Sequence, residues 1–155
     1  MITELKKLNN MYTVELLNEA EFAKSVILNW FKQQMLNSFQ GTELTKEQIE
    51  QYIEDTLAEK TFVELININP RMMFDVFDEN EIIIYYLVYE NRKEISFSYS
   101  IKDINNESNS INGTIVKTRK EAELSGIIEA TKILNNKLEQ LEKDNKRNAA
   151  LAEAF

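Results

Sequence analysis

The apolar positions of this chain follow a helical period at both ends and a strand period in the middle. From Val14 to Phe39, Leu16, Leu17, Ala20, Ala23, Ile27, Trp30, Phe31 and Met35 recur at intervals of three and four, the repeat of an amphipathic helix. Thr13 can cap its start and Gly41 can end it. Thr45-Lys-Glu-Gln48 has the Thr-x-x-Gln form of a capping box, predicting a second helix to Ala58 with Ile49, Tyr52, Ile53 and Leu57 inside. The two are expected to form a helical hairpin.

Phe62 to Ile68 mixes β-branched and polar residues as a strand would, and Asn69-Pro70 closes it. Arg71 to Phe77 satisfies neither period, leaving a helical turn and a short strand both open, and Asp78-Glu-Asn80 reads as a turn. Ile82 to Tyr89 is then an unbroken apolar run, and in 94–101 Ile95, Phe97, Tyr99 and Ile101 alternate with serines. This predicts a β-hairpin. With Glu90 to Lys93 as the loop, Ile84, Tyr86 and Val88 lie opposite Tyr99, Phe97 and Ile95 on a core face. Ile83, Tyr85 and Leu87 face serines on the other side, which is either covered by another element or is a partner surface.

A polar Asn/Ser-rich loop follows, then a short strand at Thr114 to Lys117, and Thr118-Arg-Lys-Glu121 as a second capping box. The last helix carries a broad face of Ala122, Leu124, Ile127, Ile128, Ala130, Ile133 and Leu134, with Gly126 permitting close approach to the sheet. Beyond it, Ile127, Thr131, Leu134, Leu138 and Leu141 step by four and three as the a/d seam of a coiled coil does, continued by Asn145 and Asn148. Two readings stand: a helix laid on its own domain with a frayed end, or a seam whose Leu134, Leu138 and Leu141 are buried against a second chain. Residues Met1 to Met11 decide nothing between a short helix and an ordered arm.

The fold class is therefore α+β: two N-terminal helices, a small antiparallel sheet built on the hairpin 82–89/94–101, and a long C-terminal helix. The first and last helices are expected to cover the sheet. The expected core is Leu17, Ala20, Ile27, Trp30, Phe31, Ile84, Tyr86, Val88, Ile95, Phe97, Tyr99, Leu124, Ile127 and Ile128. A length of 155 residues suits one domain, 1–155, with 135–155 as a helical extension.

Composition removes chemistry. With no cysteine and no histidine, thiol nucleophiles, disulfides, the usual zinc sites and the commonest general base are absent. No phosphate-cradling glycine loop and no nucleophile elbow occurs. Asp75, Asp78, Glu79 and Glu81 have neither the spacing nor the glycine of an EF-hand and read as a solvated acidic turn, so no metal site, cofactor or catalytic residue is assigned. A net charge of −8 repels phosphate backbones and anionic lipid and argues against nucleic acid. No signal-peptide core or membrane-spanning run is present, which places the expected location in the cytoplasm of a bacterial host cell or in a virion.

Two resemblances add expectations. Strands leading through a loop into Thr118-Arg119-Lys120-Glu121-Ala122 resemble the double-stranded-RNA-binding-domain topology, although Glu121, Glu123, Leu124 and Ile127 stand where that family places further Lys and alanines. From Asn29 to Leu138, Trp-Phe near a helix end, a short sheet and Thr-x-x-Glu-Ala-Glu resemble small uncharacterised proteins of phages and prophages of Bacteroidetes. The second implies a phage origin and a non-enzymatic role in particle assembly or in blocking a host factor. The expected function is thus protein binding or assembly, through a protein partner or self-association, with Ile83, Tyr85, Leu87, Leu134, Leu138 and Leu141 as partner-binding residues. The alternatives are an acidic counter-defence inhibitor of a host nucleic-acid-binding protein and an RNA-binding module.

Overall fold

A computed structural model describes residues 11–154. Its elements are α1 (Val14–Glu19), α2 (Glu21–Ser38), α3 (Lys46–Thr56), α4 (Glu59–Ile68), α5 (Phe74–Glu79), β1 (Ile82–Asn91), β2 (Glu94–Asp103), β3 (Ile111–Asn112) and α6 (Arg119–Ala154), with 3-10 turns at Pro70–Met73 and Glu107–Asn109. The chain is α+β, with a three-stranded antiparallel sheet in the order β1-β2-β3. The expectations for Met1 to Asn10 lie outside the described residues.

The first expected helix is two helices. The chain breaks at Ala20, where ψ is 59°, and the side-chain amide oxygen of Asn135 on α6 accepts from the freed N–H groups of Phe22 and Ala23 at 2.9 and 3.1 Å. Those donors would otherwise be orphans of the new helix start. Thr13 caps α1 by accepting from the N–H of Leu16, Gly41 takes φ +79° past α2, and both hydrogen bonds of the Thr45/Gln48 capping box form on α3. Phe39, just past the end of α2, meets Tyr52 on α3 edge to face, with centroids 5.4 Å apart.

The expected strand at Phe62 to Ile68 is instead helix α4. Phe62, Val63 and Ile66 are its buried residues, spaced to share one helical stripe, so the same side chains fill the core in a helix as well as they would in a strand. Tertiary packing here overrides the β-propensity of the branched residues. Arg71 to Phe77 resolves into a 3-10 turn and α5, with Met73, Val76 and Phe77 buried. Trp30, Phe31 and Phe62 form an edge-to-face run, with Trp30 to Phe31 at 4.9 Å and Phe31 to Phe62 at 5.1 Å, and the indole N–H donates to Glu79 at 2.6 Å.

The hairpin is present, but its register differs by one pair of residues per face. Asn91 pairs with Glu94 across a two-residue loop, so Ile84, Tyr86 and Val88 oppose Ile101, Tyr99 and Phe97. A shift of two preserves side-chain parity, and the two faces keep their expected composition. The sheet end of the core holds Ile82, Tyr99 and Ile101. Val88 and Ile95, expected in the core, are 56% and 58% exposed. The reason is where α6 starts: its first residue, Arg119, already lies 5.0 Å from the Tyr86 ring, and the hairpin extends past it. The third strand forms at Ile111–Asn112 rather than at Thr114, and pairing resumes only as a bridge between Val116 and Phe97.

The long α6 packs on β1 and β2, while α2 packs on α6 rather than on the sheet as expected. Gly126 allows the approach, since a Cβ there would meet Ile84 at 3.2 Å and Tyr99 at 3.5 Å. Leu17, Ala23, Ile27, Phe62, Ile66, Ile127 and Leu134 join the two helical layers in one core.

Candidate interaction surfaces

The last third of α6, from Lys143, leaves the body of the protein. At about 1.5 Å per residue, its 36 residues make a helix about 54 Å long. Burial on α6 ends near Leu138, and from Lys143 onward every described residue is exposed. The projecting turns hold themselves with spacing-four pairs, Glu139 to Lys143 at 3.3 Å, Glu142 to Lys146 at 3.0 Å and Gln140 to Asp144 at 3.0 Å. Such exposed pairs contribute only a few tenths of a kcal/mol each.

The seam read along this helix divides in two. Ile127, Thr131 and Leu134 are fully buried in the chain's own core. Leu134 is therefore occupied within one molecule, contrary to its expected burial against a second chain. Leu138 is half-buried against that core, and Leu141 is 55% exposed. Beside them lies an open groove of about 430 Å³, walled by Phe22, Ser25 and Val26 of α2 and floored by Leu138, Leu141 and Asn145. Phe22 and Val26 escape a reading of the main apolar stripe of α2 because they lie four apart on a neighbouring face. That spacing was their only signal.

The open face of the sheet carries the other expected residues. Ile83 and Leu87 are half-buried, and Tyr85 is 44% exposed with the Lys102 ammonium 5.5 Å from its ring centre. Ser98 is buried on this side, its one hydroxyl proton shared between the carbonyls of Gly113 and Thr114 as the chain crosses towards Val116. This face and the α6 seam present separate surfaces: α6 packs on the opposite face of the sheet, against Ile84 and Tyr99.

Two ion-pair clusters are structural. The Asp103 carboxylate is buried and accepts from Lys137 and Asn109, each at 3.1 Å. Burial pushes its pKa up, but the bonds from Asn109, Lys137 and the Asn105 N–H outweigh that and hold it below the ordinary aspartate range. Glu123, also buried, accepts from the Nε–H of Arg71 at 2.7 Å and of Arg119 at 2.9 Å on one oxygen. The acidic turn does not converge. Asp75, Asp78, Glu79 and Glu81 are all exposed, Glu79 is engaged by Trp30 and Glu81 by Asn105, and no group of three metal-binding side chains occurs among the described residues. No helix among them is long and apolar enough to cross a membrane.

Comparison of the chain with protein-family models, curated proteins and solved structures finds no match.

Proposed function

We propose that this protein is a non-enzymatic binding or assembly protein that engages another protein through the projecting end of α6. The observation that carries this reading is the exposure of Leu141 and of every residue from Lys143 to Ala154 on a helix that is firmly anchored at its other end. An isolated helix of this length is marginal in water, and helices in proteins draw most of their stability from packing one face. A long exposed stretch continuing an a/d repeat is the form such a segment takes when the packing partner is another chain. A role in phage particle assembly would be one case of this function, and it rests on the sequence resemblance alone.

Deletion tests the reading. A chain ending at Gln140 should keep its thermal midpoint within a few degrees, because no described residue beyond Gln140 belongs to the core, while losing association with its partner. Loss of folding in that variant would make the segment part of the domain and end the proposal.

A second reading, RNA binding, is favoured by Arg119 and Lys120 at the start of α6, with Arg71 of the Pro70–Met73 turn bonded to the same Glu123 as Arg119. Against it, Glu123 engages both arginines and the chain carries −8 overall. Duplex RNA at low salt should therefore give no gel shift, and measurable binding would favour this reading over the first.

A further inference from the structure

We infer that the occupant of the groove between α2 and α6 is the C-terminal segment of a second copy of this chain, laid antiparallel along Leu138, Leu141 and Asn145. The inference rests on the proposed binding role of α6 and specifies its partner and register.

With Leu138 taken as position a, Leu141 is d, Asn145 a, Asn148 d and Ala152 a. In an antiparallel pair an a residue of one helix meets a d residue of the other. Leu141 then meets Ala152 of the second copy, and Asn145 meets Asn148, with the same two layers repeated by the two-fold axis. Each amide has a donor and an acceptor to offer the other, so the polar residues that would weaken an ordinary seam satisfy one another and fix the register. Ala149 and Ala152 are small enough to bring the second helix down between Phe22 and Leu141.

Charge does not oppose this occupant. The groove is rimmed by Glu21 and Glu142, and the segment Asn148 to Ala154 carries only one charge, Glu153, at an outward-facing position. No like charges are forced together. A parallel pair is less suited. It would bring both folded bodies, with their α2 walls, to one end of the seam. Its attractive flanking pair would use Lys137, which is already bonded to Asp103 and to the Asn80 carbonyl. In the antiparallel arrangement the bodies sit at opposite ends, and each groove receives the other's tail, giving a closed, isologous dimer.

The chain has no cysteine, so engineered thiols report contacts cleanly. Chains carrying Leu141→Cys and chains carrying Ala152→Cys would be mixed and mildly oxidised, beside each variant alone. Antiparallel pairing predicts a mixed disulfide at least about five-fold in excess of either homodisulfide, because only the mixed pair falls within bonding distance. Predominant homodisulfides would overturn the register and establish a parallel pair, leaving the binding role of α6 intact. If the parent chain proves monomeric and no mixed disulfide forms, the second copy is excluded as occupant, and the deletion experiment alone then bears on the binding role.

Discussion

Asn135 accepts a hydrogen bond from the backbone N–H of Phe22 at 2.9 Å, so a side chain on the last helix caps the start of α2. The same oxygen takes the N–H of Ala23, and α2 has no cap of its own at Ala20. Asn135→Ala should therefore destabilise the protein by about 1 to 2 kcal/mol, the range of a lost N-cap. Urea denaturation should show a lower midpoint with an unchanged slope. An effect below about 0.3 kcal/mol would mean that solvent replaces the cap without cost.

Tyr12 ties the start of the described chain to α6. Its buried hydroxyl lies 2.9 Å from that of Thr131, which donates to the Ile127 carbonyl at 2.7 Å, so the tyrosine is the donor in their bond. Tyr12→Phe should cost about 1 kcal/mol at neutral pH. Burial pushes the Tyr12 pKa up to about 12, against 10 for a free tyrosine. Between those values the unfolded chain has lost a proton that the native chain keeps, so stability falls as pH rises through this window. Phenylalanine cannot show that loss. The stability gap between parent and variant should narrow from about pH 9 to about pH 11, and a constant gap would refute the assignment.

Gly113 lies against the ring of Tyr99 so closely that a Cβ at this position would overlap the ring. Tyr99 is buried and packs on Gly126, and cannot simply swing away. Gly113→Ala should cost about 1 to 3 kcal/mol through overpacking, read as a drop in thermal midpoint. A neutral result would show that the β3 segment can slide off the ring.

The parts of the fold legible in the sequence are those whose signal is local. Capping at Thr13 and Thr45, the alternation Ile95 to Ile101 and the helical face 122–134 each carry their own period, and each forms where expected. The misread parts depend on distant residues. The stripe from Leu16 to Met35 runs straight through the break at Ala20, because the cap that stabilises the break comes from Asn135. Phe62, Val63 and Ile66 suit either period, and only the layer they pack into selects the helix. Val88 and Ile95 belong to an apolar face, but α6 begins too late to cover them. Leu134 and Leu141 share one repeat, and the boundary of the core falls between them.

The most direct measurement is the mass in solution, by light scattering at micromolar concentration, of the parent chain beside Leu141→Asp. Leu141 is the better probe than Leu138, which also packs on the core. The parent should scatter as two copies of the 18.2 kDa chain and the variant as one, with equal circular dichroism spectra. A parent that scatters as a single chain at every concentration tried would contradict self-association through α6.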